Sequence, residues 1–111
     1  MRAGDMDKAF VSLEEAISDS PDFAEAYNQR AIIHFNLRAF ADSVEDCLFT
    51  LELMPVHYAA LAGMGQCLLQ LGRDAEALEA FRKAQRINPG LNLQCVIREL
   101  ESRLEDEELR V

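Results

Sequence analysis

Residues 56–89 read VHYAALAGMGQCLLQLGRDAEALEAFRKAQRINP, and the fold is decided there. The stretch holds two helix-length apolar periodicities, parted by Leu71-Gly72-Arg73-Asp74 and closed by Asn88-Pro89. Pro89 has counterparts at Pro55 and Pro21, each 34 residues further back, so the chain repeats. Each unit is a pair of helices with apolar residues on more than one face. A hairpin of that size cannot bury them alone, so the units must stack, and function belongs to the surface that the stack creates.

Within the last unit Leu61, Met64, Gly65 and Leu68 occupy the first helix and Ala77, Phe81, Ala84 and Pro89 the second. The preceding unit keeps register with Tyr27, Arg30, Ala31 and His34, then Ser43, Cys47, Thr50 and Pro55, and it has Arg38 at the turn where the later unit has Gly72. This 34-residue helix-turn-helix, with small residues at fixed places, resembles the tetratricopeptide repeat. Gly4-Asp5-Met6-Asp7-Lys8-Ala9-Phe10 through Leu13, Ala16 and Pro21 looks like the second helix of a further unit. The resemblance implies an all-α, right-handed superhelical stack. Its parts are a partial repeat at 5–21, full repeats at 24–57 and 58–91, and a capping helix at 92–110.

Taken in order, the spacing predicts helices near 5–19, 24–37, 40–53, 58–71, 74–87 and 91–110. Asp5 is expected to cap the first, whose apolar face is Ala9, Phe10, Leu13, Ala16 and Ile17. An opening at the turn between two helices suggests that Met1 begins a cut chain. The third helix is expected to turn Val44, Cys47, Leu48 and Leu51 inward. Gly65 is expected at a close approach of two helices, whereas Gly63 has no explanation in the sequence. Leu93, Val96, Ile97, Leu100 and Leu104 form the last apolar stripe, after which Glu105, Asp106, Glu107 and Glu108 predict a frayed acidic end. An acidic docking tail is the functional alternative for that end.

Composition excludes several classes. Half of the 111 residues are apolar and 7% aromatic, a profile of helical repeats rather than of β-sandwiches. Twenty acidic against eleven basic residues give a net charge of −9, which disfavours nucleic acid and anionic membranes as partners. Cys47, Cys67 and Cys95 are odd in number, lack CxxC spacing and are expected to point inward, so neither a disulfide framework nor a zinc site is signalled. The expected setting is the cytoplasm or another reducing compartment. No apolar run approaches the ~20 residues needed to span a bilayer.

Catalytic chemistry is equally thinly represented. His34 is expected to be a satisfied interior imidazole and His57 a solvated loop residue. Glu14-Glu15 and Glu45-Asp46 are neighbours on helices, whose side chains diverge by about 100°, and are expected to be solvated. No glycine pattern cradles phosphate. No enzyme, cofactor or metal is expected.

What remains is a groove. The resemblance implies that the first helices of successive hairpins line a concave face, and it sets Asn28, Ile32 and Phe35 beside Ala62, Gln66 and Leu69, flanked by Glu25, Asn36 and Gln70. One branch of the family grips a C-terminal carboxylate with Lys, Arg and Asn on these faces. Asn28 matches the Asn, but Ala62 and Gln66 stand where that branch is basic. The expected ligand is therefore an apolar or amphipathic segment of a protein or peptide. The alternative is an assembly segment of a larger scaffold, with the groove filled inside the complex or a homodimer formed through the first helix.

Overall fold

The computed structural model describes residues 3–109. Met1 and Arg110, on which the expectations of a cut start and of the last helix's end fall, lie outside them. Six α-helices follow in order: α1 (Ala3–Asp19), α2 (Ala24–Asn36), α3 (Phe40–Leu53), α4 (Tyr58–Gln70), α5 (Asp74–Ile87) and α6 (Gln94–Leu109). The described residues contain no strand. The α2–α3 and α4–α5 pairs are the two hairpins, joined by packing of α3 on α4, with α1 and α6 at the two ends. The stack measures 49 × 27 × 23 Å, which is elongated along the repeat axis.

Local chemistry explains the turns. Both hairpins reverse through a left-handed residue, Arg38 at φ 61° and Gly72 at φ 74°. The following N–H reaches back to close the helix, Ala39 to the His34 carbonyl at 2.8 Å and Arg73 to that of Leu68 at 2.9 Å. Between repeats, Pro21 and Pro55 sit second in a tight turn closed by Phe23 N–H to Ser20 O and His57 N–H to Met54 O, each 3.0 Å. Pro89 instead opens a 3₁₀ turn, Pro89–Leu91, with the Asn88 side chain accepting from Gly90 N–H. Gln85 pins that loop, donating to the Pro89 carbonyl and accepting from Leu93 N–H, both at 2.8 Å.

The main core lies between the second hairpin and the cap. Leu68, Ala77, Leu78, Phe81, Ile97 and Leu100 are buried together, with Met64, Leu69, Leu93, Val96 and Leu104 packed around them. Arg82 to Glu101 at 2.7 Å adds an exposed ion pair between α5 and α6, a small contribution. At Gly65 an added Cβ would stand 2.8 Å from the fully buried Phe81 ring, so the close approach there is helix against ring rather than backbone against backbone.

Several expectations are corrected. Asp5 lies inside the first turn of α1, which starts at Ala3, and is no cap. Leu48 is 54% exposed, because α3 gives its inner face to Ser43, Asp46, Cys47 and Thr50. Cys95 is exposed while Cys47 and Cys67 are buried, since α6 begins only at Gln94 after the Asn92 kink and turns Ile97 and Leu100 inward. The acidic end of α6 is helical through Leu109, not frayed. Asp46 is buried beside Arg30, unlike its solvated neighbour Glu45.

Candidate functional site

α2 and α4, the first helices of the two hairpins, touch little and leave a groove between them. Its centre is a depression of about 170 Å³ lined by Asn28, Ala31, Ile32 and Phe35 of α2, by Ser43 and Cys47 of α3 as floor, and by Ala59, Gly63 and Gln66 of α4. Small residues make it possible. An added Cβ at Gly63 meets nothing within 4 Å, so the glycine leaves open space that any side chain would occupy. Ser43 donates to the Ala31 carbonyl at 2.7 Å, which hides a hydroxyl that would otherwise make the floor polar.

The depression continues at both ends. Toward the start of α2, Asn28 and Ala59 are shared with a second hollow that includes Glu25, Met54, Val56, His57 and Tyr58. Toward its end, Phe35 is shared with a third, lined also by Asn36, Arg38, Phe40 and Gln70. From Glu25 to Asn36 the line follows α2 for about 16 Å at the helical rise. Glu25, Asn28, Ile32, Phe35, Asn36, Gln66 and Gln70 thus fall along one continuous surface.

Ala62 and Leu69 do not line it. Ala62 is half-buried, and Leu69 packs against the core beneath α6. Of the pairs one repeat apart, Ile32 with Gln66 and Asn36 with Gln70 do share the surface, but Asn28 and Phe35 are met by Ala59 and Gly63 rather than by Ala62 and Leu69. Ala59 and Gly63 were missed for that reason. The unexplained Gly63 was the available signal.

One end of the groove is electrostatically built. His57, expected in solvent, keeps only 12% of its side chain exposed. Its Nδ1 accepts from Ala60 N–H at 3.1 Å and so caps α4. The ring proton therefore sits on Nε2, which donates to Glu25 at 3.0 Å. Gln29 at 3.0 Å and Asn28 at 3.3 Å also donate to that carboxylate. These bonds, His57 first, hold the Glu25 carboxyl below its usual range against the smaller opposing effect of burial. The result is a fixed anion at the start of α2, an apolar middle, and the Arg38 cation at the far end.

A second polar cluster lies behind the groove, under α1. Asp46 takes both prongs of Arg30, Nε at 2.9 Å and Nη2 at 2.7 Å, and stands 3.4 Å from His34 Nε2. Phe10 covers His34 edge-on at 5.3 Å. Asp46 is 2% exposed and its pair with Arg30 joins α3 to α2. Among the described residues no group of three His, Cys, Asp or Glu side chains is placed to hold a metal.

The family model of the tetratricopeptide repeat matches residues 58–91. A TPR repeat-containing protein of Rhizobium etli is 36% identical over 77 residues, covering 69% of this chain and 38% of that protein. The Protein SGT1 homolog of Bos taurus is 37% identical over 84 residues, or 76% of this chain and 25% of its own. The chain thus spans well under half the length of these relatives. The first TPR of Spaghetti (RPAP3), solved bound to HSP90 peptide SRMEEVD, superposes with a TM-score of 0.85 at 20% identity, over 92% of this chain and 82% of that one. That likeness is one of fold.

Proposed function

The chain belongs to the tetratricopeptide-repeat family, and from that premise we infer that it is a non-enzymatic protein-binding module holding a peptide or helical segment of a partner in the α2–α4 groove. The observation that carries this is the apolar middle of the groove, where Ile32 remains 45% exposed beside the open space at Gly63. A peptide-sized ligand on a similar fold, the HSP90 peptide on RPAP3, supports it. The chemistry differs from a carboxylate grip, because no Lys or Arg lines the central depression. The ligand is an apolar or amphipathic segment. Full repeats at 24–57 and 58–91, a partial one at 5–21 and a cap at 92–110 are the units we assign to it. Two buried free thiols fit a reducing compartment, and no described helix is long and apolar enough to cross a membrane.

The test is Gly63→Leu, which fills the groove while improving helix propensity by about 0.5–1 kcal/mol. Peptides selected on the wild type from a displayed random library lacking Lys and Arg are expected to lose binding to the variant, whose melting temperature holds or rises. Equal binding to both proteins overturns the groove. A second reading, self-association through α1, rests on a separate observation: none of the side chains of residues 4–19 is buried, and Val11 is 52% exposed. A constant monomer mass by light scattering across concentration, unchanged by Phe10→Lys, removes it.

A further inference from the structure

The outer face of α3 carries apolar surface that the repeat does not require. Leu48, Phe49 and Glu52 stand 34 residues before Arg82, Lys83 and Arg86 of α5. The second hairpin folds with three cations there, so stacking alone does not explain the Leu and the Phe. Leu48 is 54% exposed, Phe49 41% and Leu53 40%. With Glu45 and Glu52 they occupy one stripe of the helix, at spacings of three and four. The Phe49 ring is stacked on Tyr27 at 5.3 Å, which fixes it in place. Leu48 lines a depression of about 240 Å³ over Val44, Met64 and Leu68, on the side of α3 away from the groove floor; its far rim is α5 with the preceding Arg73, where Arg73 and Lys83 are paired with Glu76 and Glu79 and leave no net positive charge.

We propose that this stripe is a second docking surface, and that its occupant is a cationic amphipathic helix of a partner protein. An aliphatic side chain of that helix enters the depression beside Leu48, and its Lys or Arg residues meet Glu45 and Glu52. Charge selects this occupant. α3 exposes Asp42, Glu45 and Glu52 and holds no Lys, Arg or His, its fourth carboxylate, Asp46, being buried on Arg30, and residues 3–57 carry eleven acidic side chains against three basic, whereas residues 58–109 carry nine against six. A second copy of this chain fits poorly, because a two-fold contact would set Glu45 and Glu52 against their own like charges.

The surface is separate from the groove, so each fails independently. The probe is a fluorescent peptide of about 18 residues with Leu and Lys at helical spacing, compared by anisotropy with its Leu and Glu analogue and with a scrambled Leu and Lys sequence. The variant Leu48→Arg, Phe49→Lys, Glu52→Arg installs what α5 already carries and is expected to keep the helical circular-dichroism spectrum and melt. It should weaken binding of the Lys peptide by about tenfold or more, while Gly63→Leu leaves that binding unchanged. The Glu analogue and the scrambled peptide should bind more weakly than the Lys peptide. No binding by the wild type, equal binding by the triple variant, or equal binding of the scrambled peptide overturns the proposal. So does a concentration-dependent dimer that the triple variant abolishes, since the occupant is then a second copy.

Discussion

The two hairpins share a register and a backbone yet fill their interiors by opposite means. Where α5 places Ala77, Ala80, Phe81 and Ala84, α3 places Ser43, Asp46, Cys47 and Thr50, all buried. Where α4 has Met64, Gly65 and Leu68, α2 has Arg30, Ala31 and His34. The second hairpin closes around one large ring accommodated by one missing side chain. The first closes around a carboxylate held by a guanidinium and an imidazole, with hydroxyls satisfied on carbonyls. What the repeat demands is volume and satisfied polarity at fixed positions, not a residue type. The choice has a neighbour in view: the apolar interior adjoins the Ile97 and Leu100 face of α6, and the polar one lies under α1.

The seam between the hairpins gives the largest expected contrast. Cys47 on α3 and Cys67 on α4 are buried beside Ser43, and burial pushes the Cys47 thiol up to about 12. Its thiolate fraction near pH 8 is then about a thousandfold below that of an ordinary exposed thiol. One cysteine, Cys95, should label rapidly with a maleimide, and two only on unfolding. Mass spectrometry of partial labelling reads this, and fast labelling of Cys47 would show that the seam opens. The sign of the pH effect follows. A thiol pKa raised on folding contributes stability that is whole below about 9 and is lost as pH rises toward 12.

Gly65→Leu should be the most damaging single change in the second hairpin, by about 3 kcal/mol, since even a Cβ there stands 2.8 Å from the fully buried Phe81 ring. Gly65→Ala, which imports the first hairpin's residue, should cost about 1–2 kcal/mol. Adding Phe81→Leu should make the two changes less than additive, because each relieves the other's misfit. Thermal melts of the four proteins of that cycle measure it. Strict additivity would mean that the contact is not what fixes the pair.

In the first hairpin Asp46→Ala should cost about 2 kcal/mol. That is less than for a fully enclosed pair, because Arg30 keeps a fifth of its side chain in water and can solvate its charge. Replacing the whole cluster by the other hairpin's residues, Arg30→Met, His34→Leu and Asp46→Ala together, should recover most of that loss. If the triple variant is less stable than Asp46→Ala alone, the polar interior stabilises this hairpin in its own right.

These contrasts also show how far the chain could be read. The period placed α3 and α5 to the residue, because Pro55 and Pro89 forbid continuation and the left-handed turns limit the other ends. The start of α6 was misjudged because Pro89 opens a 3₁₀ turn there and Asn92 is left-handed at φ 57°, neither of which apolar spacing reports. In the candidate groove the α2 residues were legible. Of their opposite row Gln66 and Gln70 were legible and Ala59 and Gly63 were not, since repeat register identifies equivalent positions and the rotation between repeats decides which of them face each other. Asp46 was legible only in comparison: an acid at the place of Ala80 on an inward face requires a partner, and Arg30 lies within reach.

The smallest expected effect is also the cleanest, because it concerns one dihedral. Arg38 and Gly72 hold the same left-handed position with the same closing hydrogen bonds, but Arg carries a Cβ that crowds its carbonyl there and Gly does not. Arg38→Gly should remove that strain. Glycine also gives back part of the gain through a more disordered unfolded chain, so the net stabilisation expected is about 0.5–1 kcal/mol. Gly72→Arg should cost a similar amount, since an added Cβ at Gly72 meets nothing within 4 Å and only backbone strain is at stake. Exchanging both residues should then leave the midpoint of a urea titration nearly where it was. If Arg38→Gly instead destabilises, the Arg38 side chain contributes more through its place beside Phe35 and Asn36 at the groove's end than its backbone costs, and peptide binding should weaken with it.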